Sequence, residues 1–163
     1  MDKSGEKVAF LGKTNFKRSL MFIGEYTHSV DQKGRIAVPA KFRAELNRGA
    51  VITRGLDNCL FIYTKKEWEK LAEKMTAMPI GQKNSRAFAR LMLAGAMDVE
   101  LDVQGRVVIP EYLRQFATIQ KQAVVAGLYN RIEIWDLAKW QAYKSATEKN
   151  SEDIAERMGE LGV

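Results

Sequence analysis

Short apolar runs separated by polar turns fill most of the chain, a pattern typical of β-strands joined in hairpins. A run that begins at Met21 leads into a polar turn at 31–34. The chain then returns with Ile36 and Val38 at alternate positions. The predicted strands are 21–27, 35–38, 50–53, 60–63, 96–101, 106–109, 123–126 and 132–135.

Two prolines stand where short helices are expected to begin. Pro39 and Pro110 each follow a predicted strand, and proline suits the first turn of a helix because its missing N–H has no partner there. These helices are predicted to run to about Leu46 and Ala117. Each half of the chain is therefore expected to contain a hairpin, a short helix and a second hairpin.

Longer helices are predicted from their capping residues. The segment 64–67 has the capping-box pattern, and apolar residues at helical spacing follow it as far as 75. Ser85 is a candidate cap for a second helix. Asp136 is a candidate N-cap for a final helix that we expect to reach about Met158.

The two halves repeat one another. Residues 30–39 read Val-Asp-Gln-Lys-Gly-Arg-Ile-Ala-Val-Pro, and residues 101–110 read Leu-Asp-Val-Gln-Gly-Arg-Val-Val-Ile-Pro. The match continues beyond these segments, with Phe42, Arg43, Gly55, Leu56 and Asn58 answered by Leu113, Arg114, Gly127, Leu128 and Asn130. A unit used twice in one chain sets the architecture.

Each copy is too small to form a stable core alone, since domains of about 50 residues are marginal. We therefore predict an α+β fold with a mainly β core, in which interlocking hairpins of both copies pack as one pseudo-symmetric barrel with helices outside. The predicted divisions are a flexible basic extension at 1–20, a first unit with its trailing helix at 21–78, a connecting loop and helix at 79–94, and a second unit with the C-terminal helix at 95–163.

Composition narrows the functional classes. The net charge is +6, and the first 20 residues, with five basic and two acidic side chains, supply half of it. This charge weakly favours a polyanionic partner, and ordinary solubility explains it equally well. Cys59 and His28 are the sole residues of their types, which argues against a disulfide and a His- or Cys-based metal site.

The sequence predicts neither an enzyme nor a membrane protein. It contains no nucleophile–base pair, phosphate-binding loop or paired-carboxylate motif, so we expect no catalytic residue, cofactor or small-molecule substrate. No apolar run approaches the roughly 20 residues that span a bilayer. We expect a cytoplasmic protein.

The repeated turn points to a family. Asp-x-x-Gly-Arg followed by an apolar strand and proline resembles the swapped-hairpin fold of AbrB-like transcription factors, and two such units in one chain resemble the MraZ family of bacterial transcriptional regulators. The resemblance covers about residues 21–145 and has no counterpart for residues 1–20. The matching segments are 21–26, 31–39, 94–96, 102–110 and 131–135.

The first turn is the leading candidate for reading DNA. An arginine at such a tip can bond a guanine edge with two hydrogen bonds, and a lysine can contact phosphate or base acceptors. The resemblance implies this main role for Lys33 and Arg35. Asp31 and Gly34 are expected only to shape the turn, because a carboxylate facing phosphate would be repelled and glycine supplies the positive φ. From the residues alone, an Asp–Arg pair that simply sets the register of the turn is the alternative for Arg35.

The second turn is a secondary candidate. Arg106 and Gln104 could contact DNA, while a brace or a subunit contact is the leading alternative for Arg106. Asp102 and Gly105 are expected to position this turn. Elsewhere, Arg86 and Arg90 fit a solvated helix face better than a phosphate contact, and tryptophans 68, 135 and 140 fit the core better than a base-stacking platform.

The resemblance also implies partners. It implies a homo-oligomeric ring that binds direct repeats of double-stranded DNA, associated with the nucleoid, at the promoter of the division and cell-wall gene cluster. Two alternatives remain: an oligomeric ring scaffold that does not read this promoter, and an AbrB-like antitoxin. The second complete unit argues against the antitoxin, which usually has one unit and a toxin-binding tail.

Overall fold

The computed structural model describes residues 21–163, so the predicted basic extension at 1–20 lies outside the described residues. Over this range the chain forms eight strands and six α-helices. The strands are β1 (Phe22–Ser29), β2 (Arg35–Ala37), β3 (Ala50–Arg54), β4 (Leu60–Thr64), β5 (Met97–Val99), β6 (Arg106–Val108), β7 (Gln122–Tyr129) and β8 (Ile132–Asp136).

The helices lie between these strands and after them. They are α1 (Ala40–Leu46), α2 (Lys65–Thr76), α3 (Lys83–Ala89), α4 (Glu111–Phe116), α5 (Leu137–Lys149) and α6 (Ser151–Glu160), and a π-helical turn (Arg90–Ala94) follows α3. Two predicted caps are confirmed. Thr64 Oγ1 accepts a hydrogen bond from the N–H of Glu67 at 3.2 Å, and Asp136 Oδ2 accepts one from the N–H of Lys139 at 3.4 Å.

Strands of the two halves are interleaved in one antiparallel sheet. Its order is β1-β7-β8-β4-β3-β5, and β2 and β6 form a separate two-stranded ribbon. The first-half strand β1 pairs with β7 along its whole length, from Phe22 opposite Tyr129 to Ser29 opposite Gln122. The second-half strand β5 pairs with β3. If each strand is replaced by its counterpart in the other half, the same order is read from the opposite edge of the sheet. The fold therefore has a pseudo-twofold axis.

The first predicted hairpin is formed differently from our expectation. Strands β1 and β2 share a single bridge, between Val30 and Ile36, rather than a ladder. Each strand instead takes its main partner from the other half, because β7 matches the eight residues of β1 and Val107 lies opposite Ile36 in the ribbon. The sheet of the described residues is not closed, with β1 and β5 at its edges, so the predicted barrel is not confirmed.

Both faces of the sheet are buried, with each half contributing to each core. Alternate residues of β4 point to opposite sides, as the period of a strand requires. Leu60 and Ile62 pack in a core with Phe42 and Leu113 from the short helices α1 and α4. Phe61 and Tyr63 pack in the other core. The predicted joint core of the two copies is therefore present, and it holds the β2–β6 ribbon against the sheet.

The C-terminal region differs from the prediction of one continuous helix. Helix α5 ends at Lys149, and α6 begins at Ser151 after a break at Asn150. Helix α5 is fixed to strand β1 through Glu25, whose carboxylate accepts hydrogen bonds from Trp140 Nε1 and Lys144 Nζ. No residue of α6 is buried. None of the described helices has both the length and the apolar character to cross a bilayer.

Candidate nucleic-acid interface

The first turn is built around one carboxylate. Asp31 Oδ1 accepts hydrogen bonds from the backbone N–H groups of Lys33 at 3.0 Å and Arg35 at 2.9 Å. Its other oxygen accepts a hydrogen bond from Arg35 Nε at 2.5 Å. Gly34, with a φ of +77°, supplies the left-handed conformation that the turn requires. The predicted positioning roles of Asp31 and Gly34 agree with this geometry.

The second turn repeats these contacts. Asp102 Oδ1 accepts from the N–H groups of Gln104 and Arg106, both at 2.9 Å, and Oδ2 accepts from Arg106 Nε at 2.8 Å. Gly105 has a φ of +75°. The brace predicted for Arg106 is thus present, and it is the same brace that holds Arg35. In both turns the aspartate occupies Nε and leaves the two terminal nitrogens of the arginine to other partners.

The turn geometry holds the pKa of both carboxyls below their ordinary value. For Asp31 and Asp102 the largest cause is the backbone N–H of the arginine four residues on, and the arginine side chain adds to it, while desolvation opposes both. Both carboxylates are therefore charged near neutral pH and keep the arginines oriented.

The β2–β6 ribbon places the two arginines on one exposed face. Arg35 lies opposite Val108, and Arg106 lies opposite Ala37. The intervening pair, Ile36 and Val107, points into the core with 1% and 2% exposure. Since alternate residues share a face, Arg35 and Arg106 are diagonal neighbours, which in antiparallel pairs lie roughly 7–8 Å apart. The turns lie at opposite ends of this ribbon.

Each turn is locked to the other half of the chain. The carbonyl of Gly34 accepts a hydrogen bond from the N–H of Ile109 at 2.8 Å, and the carbonyl of Gly105 accepts one from Val38 at 2.9 Å. The ribbon and both turns therefore form one rigid unit, although the two halves contribute one strand and one turn each.

Two further arginines, which our sequence analysis did not assign to the site, lie over the glycine corners. A Cβ added to Gly34 would lie 2.8 Å from the guanidinium carbon of Arg114, and one added to Gly105 would overlap the guanidinium of Arg43. Each guanidinium is anchored by its Nε, Arg43 to the carbonyl of Val38 at 2.9 Å and Arg114 to that of Ile109 at 3.1 Å. The sequence did contain one indication of their role, because Arg43 and Arg114 occupy matching positions in the two copies of the repeat.

The resulting surface is cationic. It combines Lys33 with the four arginines and includes the two turn aspartates, for a net charge of +3. Lys33 is exposed at the first tip, whereas the second tip exposes Gln104 and the fully exposed Val103. The two tips therefore differ in charge, with Lys33 in one and Gln104 in the other, and share the same backbone shape.

Other singled-out residues lie outside this surface. Arg86 donates to the carbonyls of Ile80 and Gly81. Cys59 is fully buried, and burial raises the pKa of its thiol to about 12. Among residues 21–163, no group of three or more His, Cys, Asp or Glu side chains is arranged to hold a metal ion.

A family model matches the chain twice. The model, described as "MraZ protein, putative antitoxin-like", matches residues 21–91 and 92–161. The first match contains the turn of Asp31 and Arg35, and the second contains the turn of Asp102 and Arg106. Nearly all of the described chain is therefore similar to this family, with one match for each copy of the repeat.

Curated relatives are similar over the same region. The chain is 50% identical over 143 residues to the transcriptional regulator MraZ of Halothermothrix orenii. It is 46% identical to that of Acetivibrio thermocellus and 48% identical to that of Alkaliphilus oremlandii, also over 143 residues. Each alignment covers 88% of this chain and 100% of the relative.

Proposed function

The chain belongs to the MraZ family of transcriptional regulators, and we propose that it binds promoter DNA through the exposed face of the β2–β6 ribbon. The observation that carries this proposal is the pair of aspartate-braced arginines, Arg35 and Arg106, on one face of a rigid two-stranded ribbon. The proposed function is binding without catalysis.

The chemistry of the ribbon suits the major groove. A two-stranded antiparallel ribbon fits a major groove about 12 Å wide, where every base pair presents a distinct hydrogen-bonding pattern, whereas the minor groove, about 6 Å wide, distinguishes little more than A·T from G·C. With Nε held by the aspartate, the terminal nitrogens of Arg35 can donate to O6 and N7 of guanine. Arg43 and Arg114, each held at one nitrogen only, are suited to phosphate oxygens beside the ribbon.

The two turns are proposed to contribute unequally. Lys33 adds a mobile positive charge to the first tip, while Gln104 offers a neutral amide at the second. We therefore assign the main contacts to Lys33 and Arg35 and secondary contacts to Gln104 and Arg106. Asp31, Gly34, Asp102 and Gly105 position these side chains and do not touch DNA, since a carboxylate facing phosphate would be repelled.

A single ribbon offers few contacts, so several copies are proposed to act together. A homo-oligomeric ring would present one ribbon per subunit, and direct repeats in DNA would engage several of them at once. Affinity then grows without new kinds of contact. Family resemblance points to the promoter of the division and cell-wall gene cluster as the target, and to an association with the nucleoid.

The proposal is tested by selecting binding sites with the purified protein and titrating the selected duplex in gel shifts at two salt concentrations. Arg35→Ala is expected to weaken specific binding by roughly 5- to 150-fold per engaged site, since a bidentate base contact contributes roughly 1–3 kcal/mol. Arg48→Ala, at an exposed position outside the ribbon and both turns, is the matched control.

Two results would contradict the proposal. An Arg35→Ala protein that is folded by circular dichroism and binds the selected site as tightly as the wild type would remove the ribbon from the interface. Selection of no sequence, even at low salt, would favour the oligomeric scaffold instead. For true binding we expect affinity to fall steeply with salt, because each phosphate contact releases counterions.

A further inference from the structure

An apolar groove lies on the side of the fold formed by α2, α3 and the loop between them. It has a volume of about 300 Å³. Met75, Met78, Ile80, Ala89 and Leu93 supply most of its wall. Ile80 is 84% exposed and lies beside the apolar wall, so it extends the apolar surface of the groove. The ribbon and the two turns take no part in this groove.

The wall of the groove that α3 forms is positively charged. Arg86 lines the groove, Lys83 and Arg90 lie nearby on α3 or directly after it, and the sequence between residues 80 and 97 contains no acidic residue. The terminal nitrogen Nη1 of Arg86 donates to the carbonyls of Ile80 and Gly81, at 3.0 and 3.1 Å. These bonds fix a guanidinium beside the exposed Ile80.

Helix α6 has the complementary character. Ile154 and Met158 are one helical turn apart and Leu161 follows, so the three lie along one stripe. They are 41%, 38% and 73% exposed, respectively. The segment 151–163 carries four acidic residues and one basic residue, for a net charge of −3. An acidic helix with an unpartnered apolar stripe thus accompanies an apolar groove with basic side chains.

We propose that α6 of one copy occupies the α2–α3 groove of a neighbouring copy, with Ile154, Met158 and Leu161 against the apolar wall. This inference rests on the homo-oligomer proposed above and names the surfaces that form it. The two surfaces are different, so the contact is head-to-tail, and repeated contacts of this kind close into a ring or extend as a filament. It leaves the ribbon free for DNA.

The test uses one substitution on each surface of the full chain, measured by size-exclusion chromatography with light scattering. Met158→Glu places a charge in the stripe, and Ala89→Glu places the same charge in the groove. The matched controls add a glutamate at exposed positions outside both surfaces, Ala146→Glu on α5 and Ala87→Glu on α3. We expect the first two variants to fall to monomer mass and the controls to keep the wild-type mass.

Mixing the two disrupted variants tests the head-to-tail geometry. The Met158→Glu chain keeps an intact groove and the Ala89→Glu chain keeps an intact α6, so an equimolar mixture is expected to form heterodimers and no larger species. Circular dichroism melting checks that each variant is folded. We expect Met158→Glu to keep the fold because α6 has no buried residue, and Ala87→Glu controls for a glutamate on α3.

Three outcomes would overturn the inference, and they are distinguishable. Wild-type mass in both disrupted variants would refute this interface and leave the proposed oligomer standing. A monomeric wild type would refute the oligomer and this contact together. Two monomeric variants that do not combine on mixing would exclude the head-to-tail contact. Binding of Arg35→Ala to the selected duplex is measured separately, so failure of the DNA proposal would not be confused with these results.

Discussion

Replacing Gly34 with alanine tests whether the first turn is rigid. The φ of Gly34 is +77°, and holding a non-glycine residue there costs on the order of 1–2 kcal/mol. An added Cβ would also lie 2.8 Å from the carbonyl oxygen of Ile109 and 2.8 Å from the guanidinium carbon of Arg114. Arg114 can move, but Ile109 cannot easily do so, because its own N–H is bonded to the carbonyl of Gly34.

Overpacking of this kind typically costs about 1–3 kcal/mol. Together with the backbone cost, we expect Gly34→Ala to lower the free energy of unfolding by about 2–5 kcal/mol. For a chain of this size the melting temperature should fall by roughly 4–20 °C. The assay is thermal unfolding followed by circular dichroism at one fixed protein concentration, since oligomerisation makes the melting temperature depend on concentration.

Gly81→Ala is the matched control, because a Cβ at that position meets no atom within 4 Å. We expect it to change stability by less than about 0.5 kcal/mol. If Gly34→Ala melts at the same temperature as Gly81→Ala, the turn is not held by Ile109 and Arg114, and Arg35 is not preorganised by a rigid turn. A Gly34→Ala protein with wild-type stability and full DNA affinity would refute both the rigidity of the turn and the need for that rigidity in binding DNA.

Three further predictions concern the acid response of the turn, the core and the buried thiol. The pKa of Asp31 is lower in the folded chain than in the unfolded chain. Its contribution to stability is therefore present above the unfolded pKa, near 3.9, and is lost as the pH falls through the lower folded pKa. Asp31→Asn should flatten the acid end of a curve of stability against pH, and an unchanged curve would contradict this. Leu113 is fully buried in the core shared by both halves, so Leu113→Ala should lower the free energy of unfolding by about 2–5 kcal/mol. Because the core is shared, urea unfolding should show one transition for the whole fold rather than two. Since burial raises the pKa of the Cys59 thiol to about 12, an aromatic disulfide reagent should react with it only after denaturant is added, and rapid reaction of the native protein would show the thiol to be accessible.

Local structure was predictable at most positions where one side chain decides it; the exception is Ser85, predicted as a cap, which lies inside α3, a helix that follows Gln82 without a side-chain cap. Thr64 and Asp136 cap helices as expected, because their oxygens satisfy N–H groups within the same turn. The shape of the first turn was predictable for the same reason, since the carboxylate of Asp31 bonds to groups no more than four positions away. Such contacts depend little on the remainder of the fold.

Strand pairing was not predictable from local pattern. The turn at 31–34 favours pairing of β1 with β2, yet β1 pairs with β7 and β2 with β6. The pairing is decided by burial, since Ile36 and Val107 can face one core only if their strands lie side by side. The repeat indicates that two copies share a core, but it does not state which strands are exchanged.

The wider cationic surface was missed for a related reason. Arg43 and Arg114 lie on helices that look like ordinary solvated segments in the sequence, each eight residues after the arginine of its own turn. Each lies over the turn of the opposite half. A contact between distant segments of this kind is set by the exchanged ribbon, so it became visible only with the fold.

The exchanged ribbon also affects how the binding surface can change by mutation. In a homodimer of identical halves, one codon change would alter both corners at once, and a charge gained at one would be gained at the other. Here the corners share a backbone but are encoded separately, which permits lysine at position 33 and glutamine at position 104. Covalent linkage thus allows the side chains of one corner to change by mutation while those of the other corner stay the same.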